Sequence, residues 1–346
     1  MAYTTIDNPE LYFQVKAYAG TGSEQSITLD GSENMQPDFV WFKNRTITAN
    51  HALFDSVRGA TKVLNSNATT EEATEAQMLK SFNTDGFTVG TDSTVNDSDS
   101  GNVNIVSWNW KAGSGTATNS NGTVNTTVNV NQTAGFSIVS WTGNGNAEYF
   151  GHGLGANADW VLIKNRGDAS TSGWLVNHNK VASTKTLFLN TNAAEATSSI
   201  YLNTAPDSTR FRLDTDNTTA FIAYCWSEKK GFSKFGSYTG NGNADGSFIY
   251  TGFRPAWVLI KTSSYAGQNW NLYDNKRDTG NVTEVELNPN DNSTDDSSGN
   301  KIDMLSNGFK CRVNFDATNR SGETYIYMAF AESPFVNSKG IPTNAR

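Results

Sequence analysis

The chain has 346 residues, of which 17% are charged, 36% are hydrophobic and 12% are aromatic, and its formal net charge is −8. The aromatic content argues against intrinsic disorder, and a negative charge with no cluster of Lys and Arg argues against a nucleic-acid partner. No apolar run reaches the roughly 18 residues that indicate a transmembrane helix, so we expect no membrane span.

A short pattern occurs three times along the chain. Each copy has a Gly-x-Gly turn followed by an apolar run that ends in lysine, and the spacing between copies is too long for a propeller blade or a solenoid but suits a small β-domain. We therefore predict three units, in residues 1–111 with an N-terminal extension, in residues 135–230, and in residues 231–346 with a C-terminal tail. The turns and lysines are Gly20-Thr21-Gly22 with Lys43, Gly143-Asn144-Gly145 with Lys164, and Gly240-Asn241-Gly242 with Lys261.

In the first unit, acidic residues followed by apolar ones predict a short helix over Thr70–Phe82. The unit closes with alternating apolar residues at Val106, Trp108 and Trp110, which is the period of a strand with one buried face. Residues 112–134 are polar and of low complexity. Two interpretations stay open for them, a flexible linker and a polar edge hairpin, and their alternating valines favour the hairpin.

The second unit contains about eight short runs of β-branched and aromatic residues separated by Gly, Asn and Asp. This pattern predicts strands at Phe136–Thr142, Ala147–Gly151, Asp159–Asn165, Gly173–Asn177, Thr186–Asn190, Ile200–Asn203, Arg210–Leu213 and Ala220–Trp226. Cys225 lies in the last of these runs, where we expect a buried free thiol. The fold class is therefore predicted to be all-β, with three tandem antiparallel sandwiches of jelly-roll or lectin-like type.

Several phrases of the sequence resemble a family of uncharacterised proteins from marine tailed bacteriophages. They are Phe54–Lys62, Gly231–Gly242 continuing to Tyr250–Val258, and Tyr325–Glu332. Members of that family are described as virion, tail or tail-fibre-like proteins of lectin-like β-sandwich character. The resemblance implies a virion location, with other virion proteins as partners, and it carries no established site residues.

The sequence contains no recurring reactive residue, which argues against an enzyme. Its histidines, His51, His152 and His178, do not fall at matching repeat positions, and the usual nucleophile and zinc motifs do not occur. Two acidic loops, Asp92–Gly101 and Asn290–Asp303, offer oxygen ligands of the kind calcium prefers, but they lack the spacing of an EF-hand. We interpret them as solvated turns and expect no metal and no cofactor.

Alignment of the units brings a ring to corresponding positions in all three and an Asp-x-x-Arg pair in the first and third, whereas the second unit has His178 and Val181 there. A ring face can stack on a sugar while carboxylates and guanidinium groups bind its hydroxyls, so these positions form a candidate glycan site. The alternative is structural, a buried ring beside a local ion pair that holds a turn, because tryptophan is usually buried. The candidate residues are Trp174, Trp270, His51, Asp55, Arg58, Asp274 and Arg277.

The resemblance, together with these features, implies a non-enzymatic structural protein of a virion, exposed at the surface or associated with the tail, that contacts host-surface polysaccharide. The alternatives are a head-decoration protein that stabilises the capsid and a polysaccharide-degrading tail enzyme. Residues 1–7 have no basic and apolar regions of a secretory signal, which agrees with release by lysis. A homo-oligomer is expected, with a trimer preferred, because closed rotational symmetry is the default for such assemblies.

Overall fold

The structure, a computed structural model, describes residues 4–99, 101–169, 173–201, 203–299 and 301–334. The predicted all-β class is confirmed, since antiparallel strands form the sheets and the helices are single turns. We refer to residues 4–111, 112–230 and 231–334 as the first, second and third segments.

The first segment contains nine strands and one helical turn among its described residues. They are β1 (Phe13–Ala19), β2 (Gln25–Ile27), β3 (Phe39–Asn44), β4 (Ala52–Asp55), β5 (Lys62–Asn65), β6 (Ala73–Thr74), β7 (Leu79–Phe82), β8 (Phe87–Val89), α1 (Ser93–Asn96) and β9 (Val103–Trp110), with a 3₁₀ turn at Pro9–Leu11 before them.

The second and third segments repeat this order with local differences. The second has β10 (Ala117–Asn119), β11 (Thr126–Asn131), β12 (Phe136–Thr142), β13 (Glu148–Gly151), β14 (Trp160–Asn165), β15 (Leu175–His178), β16 (Lys185–Phe188), β17 (Ala196–Thr197), β18 (Arg210–Leu213) and β19 (Ala220–Trp226). The third has β20 (Ser233–Thr239), β21 (Phe248–Tyr250), β22 (Phe253–Thr262), β23 (Asn271–Asp274), β24 (Ile302–Leu305), β25 (Gly308–Cys311), α2 (Asp316–Asn319) and β26 (Thr324–Pro334).

Each segment contributes one large sheet and one small sheet. The large sheets have the orders β1-β9-β3-β4-β5-β6, β10-β11-β12-β19-β14-β15-β16-β17 and β20-β26-β22-β23, and the small ones are β2-β8-β7, β13-β18 and β21-β25-β24. Lys43, Lys164 and Lys261 occupy corresponding positions, because they pair with Val106, Ile222 and Ile326 on the closing strands β9, β19 and β26.

The Gly-x-Gly turn needs glycine at both ends for different reasons. The second glycine has a positive φ in every copy, which is 68° at Gly22, 77° at Gly145 and 69° at Gly242. The first glycine lies against backbone, and a Cβ at Gly20 would come within 2.0 Å of the carbonyl oxygen of Asp97. The recurrence of this motif is therefore a backbone requirement of the turn.

The largest apolar cluster belongs to all three segments together. Phe13 stacks on Phe330 with ring centroids 4.9 Å apart, Phe39 stacks on Tyr224 at 4.2 Å, and Trp110 meets Trp257 edge-on at 5.7 Å. Three smaller clusters lie on the other faces of the large sheets, each within one segment. The central strands of the large sheets are therefore buried on both faces, which explains why β3 and β14 are continuous apolar runs ending in a buried Lys and Asn.

Several predicted elements are corrected by the structure. The helix predicted over Thr70–Phe82 is wrong, because this stretch holds β6, a turn and β7. Residues 112–134 contain the edge hairpin, in which β10 pairs with β11 and β11 with β12. In the second segment the sequence did not predict β17. The strand predicted at Ile200–Asn203 is a turn at residues 200, 201 and 203, and residue 202 lies outside the described residues. Cys225 is a buried free thiol, as predicted.

Candidate functional site

The seven residues of the predicted glycan site lie inside the protein, where the segments meet. Their exposed fractions do not exceed 9%, and a sugar platform requires a ring face that solvent can reach. In this structure the alternative interpretation holds for these positions, since the rings are buried and the ion pairs fix turns. The residues are Trp174, Trp270, His51, Asp55, Arg58, Asp274 and Arg277.

The two tryptophans join neighbouring segments through their indole nitrogens. Trp174 Nε1, in the second segment, donates to the carbonyl oxygen of Asn65 in the first at 2.8 Å. Trp270 Nε1, in the third segment, donates to the carbonyl oxygen of Phe188 in the second at 3.0 Å. Asn65 and Phe188 end corresponding strands, so the same bond is made at two joints.

His51 takes the place of the tryptophan at the joint between the third and first segments. Its Nδ1 accepts a hydrogen bond of 2.9 Å from Trp41 Nε1. Its Nε2 faces the backbone of Asn288, the counterpart of Asn65 and Phe188, without reaching normal hydrogen-bond geometry to any described residue. Burial lowers the pKa of His51 well below its usual range, so the ring is neutral and serves as a packing group.

The Asp-x-x-Arg pairs are buried ion pairs that also bind across joints. Arg277 Nε lies 2.6 Å from Asp274 Oδ2, and both side chains are fully buried. Trp108 Nε1, from the first segment, donates to the same Asp274 oxygen at 3.1 Å. Asp55 and Arg58 form the equivalent pair, and the Tyr224 hydroxyl of the second segment donates to Asp55 Oδ2 at 2.7 Å.

The three lysines that end the repeated strands make a cyclic set of contacts. Lys164 Nζ donates to the carbonyl oxygen of Thr69 at 2.8 Å, from the second segment to the first. Lys261 reaches Asn192, from the third to the second, and Lys43 reaches Asn292, from the first to the third, at 3.4 and 3.3 Å. Burial lowers the pKa of all three lysines from 10.5 to about 8.

Backbone bonds repeat the same cycle. The amide of Glu72 donates to the carbonyl of Arg166, that of Glu195 to Ser263, and that of Asp295 to Arg45, at 2.9, 2.8 and 3.0 Å. At two of these joints a salt bridge is added, Arg166 with Glu72 at 2.8 Å and Arg45 with Asp295 at 2.7 Å. The segments therefore close into a ring.

The described parts of the two acidic loops make structural hydrogen bonds and ion pairs. Asp92 caps α1 by accepting from the Thr94 amide at 2.8 Å, and Asp295 is engaged by two arginines. Ser100 and Asn300, within the two predicted loops, lie outside the described residues. No group of three or more His, Cys, Asp and Glu side chains suited to a metal ion occurs among the described residues.

The other two histidines also make structural hydrogen bonds. His152 Nδ1 accepts from the Leu154 amide at 3.2 Å, and His178 Nδ1 accepts from the Lys180 amide at 3.0 Å. Burial lowers the pKa of His178 to about 3. Neither ring is bonded to a Ser, Cys or carboxylate side chain in the described residues, so neither has the partner that a general base for a nucleophile needs.

A solvent-open cavity of about 420 Å³ lies at the outer side of the second segment. This size is within the range of small-ligand sites, about 300–1,000 Å³. Its floor is apolar and its rim is polar, and its lining contains no Lys, Arg or His. The lining residues are Asn165, Gly173, Leu175, Phe188, Ile200, Leu213, Asp214, Thr215, Asp216, Asn217 and Phe221.

The rim of this cavity is partly fixed and partly free. Asn165 Oδ1 accepts from Thr219 Oγ1 at 2.7 Å, and Asn217 Nδ2 donates to Asp168 Oδ2 at 3.0 Å. The carboxylates of Asp214 and Asp216 have no hydrogen-bond or ion-pair partner among the residues that the structure describes. The rim therefore presents two oriented amides and two acceptor groups that are open to a ligand.

Sequence reasoning missed this cavity, although a signal was present. The connection between the last two strands of the second segment is short and consists of residues 214–219. The corresponding connections, residues 90–102 in the first segment and residues 312–323 in the third, are longer. A comparison of these three lengths would have identified Asp214–Thr219 as a local difference on an otherwise repeated scaffold.

The described residues contain no helix that is long and apolar enough to cross a membrane. Neither a curated protein nor a solved structure matches the chain. A family model does match, over residues 8–334, which is nearly the whole chain. The protein therefore belongs to the family described as a domain of unknown function, DUF7483.

Proposed function

We propose that this protein is a non-catalytic structural component of a bacteriophage particle, exposed at its surface or associated with its tail, which contacts glycans of the host envelope. The virion location is supported by the resemblance, described above, of several sequence segments to a family of tailed-bacteriophage proteins. In this proposal the three segments are tandem copies of one sandwich-like unit, and the particle's other proteins are its partners.

The observation that carries the binding role is the cavity of about 420 Å³ in the second segment. Half-buried Leu175 and Phe188 line its floor beside Phe221, and Asn165 and Asp216 stand on its rim. A sugar presents apolar C–H faces and many hydroxyl groups, so an apolar floor beneath amides and carboxylates complements it. The joints do not offer this combination, because their rings and ion pairs are buried.

The closed set of joints supports the structural part of the role. Buried lysines, indole bonds and backbone bonds recur between segments, so the ring holds the cavity in a fixed place. A binding site on a rigid support loses less conformational entropy when its ligand binds. We also propose that the protein assembles as a homo-oligomer, preferably a trimer. Light scattering of the purified protein measures the mass of the assembly and so tests this.

Two measurements test the proposal. Gold-labelled antibody against the protein should mark the tail or another exposed part of phage particles in electron micrographs, and purified protein should adsorb to intact host polysaccharide without shortening it. Label confined to the capsid lattice would favour head decoration, and shortened chains would favour an enzyme. Absence of adsorption to host polysaccharide would contradict the glycan role.

A further inference from the structure

The cavity of the second segment occupies the place where the other two segments have a helical turn. In the first segment α1 packs on β3, and Asn44 Nδ2 donates to the carbonyl of Ser93 in that turn at 2.9 Å. Asn165, the counterpart of Asn44 at the end of β14, lines the cavity instead. The shorter chain between β18 and β19 leaves this place unfilled.

A second observation supports this comparison. The Tyr18 hydroxyl donates to the carbonyl of Val95 in α1 at 2.5 Å, and the Tyr238 hydroxyl donates to that of Thr318 in α2 at 2.6 Å. The corresponding residue of the second segment is Trp141, whose Nε1 is buried without a hydrogen-bond partner among the described residues. This position binds the helical turn in the first and third segments. In the second segment there is no turn for Trp141 to bind.

Trp141 still has a role beside the cavity. Its ring stacks on Phe221, which lines the cavity, with centroids 5.3 Å apart and planes 5° from parallel. Phe150 packs on its other side at 4.5 Å. Phe221 in the floor of the cavity is therefore packed against a buried aromatic pair.

The charges of the lining restrict the kind of ligand. Asp214 and Asp216 place two carboxylates on the rim, and the lining contains no cationic side chain to offset them. These carboxylates would repel an anionic ligand in the cavity. Hydroxyl and ammonium groups of a ligand could instead donate hydrogen bonds to the carboxylate oxygens of Asp214 and Asp216.

We propose that this cavity is a sugar site that selects uncharged and amino sugars against acidic ones. The inference rests on the proposed glycan role and adds to it the place and the ligand class. The other two segments lack the site because their helical turns fill it.

The test is calorimetric titration of the full chain with methyl hexopyranosides, with a hexosamine and with a hexuronic acid. The uncharged sugar and the hexosamine should bind, and the uronic acid should bind at least about tenfold more weakly, because its carboxylate is repelled by those of Asp214 and Asp216. The variant D214N/D216N should bind the hexosamine about tenfold more weakly and should lose the discrimination against the uronic acid.

The control is Glu33→Gln, because Glu33 is an exposed acidic residue of the first segment and does not line the cavity. Its titrations should equal those of the native chain. Equal binding of the uronic acid, or unchanged binding by D214N/D216N, would overturn the inference. If intact host polysaccharide adsorbs to native protein and to D214N/D216N alike, the glycan role stands and only the site assigned here fails.

Discussion

Two aromatic-lined regions of the protein differ in volume, in the polarity of their lining and in access to solvent. The centre, where the three segments meet, is lined by Phe39, Trp110, Trp226 and Trp257 among others and retains only about 10 Å³ of space. That is no more than the roughly 10–15 Å³ one water requires. The cavity of the second segment retains about 420 Å³ and is open to solvent under a polar rim.

The difference teaches that aromatic residues at repeated positions mark the scaffold, whereas the departure from the repeat marks the place for a ligand. Trp174 and Trp270 recur because each fills its joint with a ring and donates its indole N–H to a carbonyl of the neighbouring segment. Asp214 and Asp216 stand where the repeat is interrupted. Four variants separate these two kinds of position.

The largest effect is expected in the shared centre. Trp110→Ala should lower the free energy of unfolding by about 3–5 kcal/mol, because a large buried ring leaves a cavity that its neighbours cannot fill. Urea unfolding should remain a single transition, since residues of all three segments share this cluster. Hydrogen exchange that shows the first segment opening before the other two would contradict a shared core.

A smaller effect is expected from removal of one donor at a joint. Trp270→Phe keeps a ring but removes the indole donor to the carbonyl of Phe188, which retains its longer bonds from Thr191, so the loss should be about 0.5–1.5 kcal/mol in urea unfolding. Trp141→Phe is the matched control, because Trp141 Nε1 makes no such bond in the described residues. Equal losses in the two variants would show that ring volume alone accounts for the effect.

The buried lysines predict a pH dependence of stability. Lys43, Lys164 and Lys261 have folded pKa values of about 8 against 10.5 in the unfolded chain, so above pH 8 the unfolded state binds more protons. Stability contributed by these groups therefore rises with pH. Buried Cys225 and Cys311 have raised pKa values and act in the opposite sense as pH rises through the unfolded thiol value of 9.0.

The measurement is the urea midpoint between about pH 7.5 and about pH 9, compared between the native chain and K43M/K164M/K261M. The native midpoint should rise relative to that of the triple variant as pH rises, because only the native chain gains from lysine deprotonation. Lys180→Met, at an exposed position, serves as control and should follow the native slope. Parallel slopes for the native and triple-variant proteins would refute the lysine assignment.

The smallest effect on stability is expected at the cavity rim. Asp216→Asn should change the free energy of unfolding by no more than about 0.5 kcal/mol, because the side chain is exposed and has no partner among the described residues. Thermal unfolding measures this directly. A loss as large as that of Trp270→Phe would mean that the rim is part of the scaffold.

Much of the fold could be predicted from the sequence because strand periodicity is a local property. Arg210–Leu213 and Ala220–Trp226 were placed with their observed bounds from short runs of β-branched and aromatic residues between turn residues. The helix over Thr70–Phe82 failed because one of its acidic residues, Glu72, pairs at a joint with Arg166, which is distant in sequence. The shared centre was missed although Phe39-Val40-Trp41-Phe42, apolar at every position, indicated a strand covered on both faces.

The candidate site could be predicted less well, because burial is not a local property. Trp270 and Asp274 are residue types that often bind sugars. They are buried only because one segment packs on the next, which the local sequence does not show. The cavity depends on an absent helical turn, and an absence is visible in one sequence only after the segments are aligned. Asp214 and Asp216 then stand out by position rather than by residue type.

The joint between the third and first segments differs from the others in having no peptide link of its own. Lys43 and Arg45 lie on one side of it and Asn292 and Asp295 on the other, and they use the same bonds as the covalently connected joints. If this joint opens, each molecule exposes two surfaces that are complementary to each other. Two opened molecules can then pair end to end, so we expect domain-swapped dimers when the protein is refolded at high concentration.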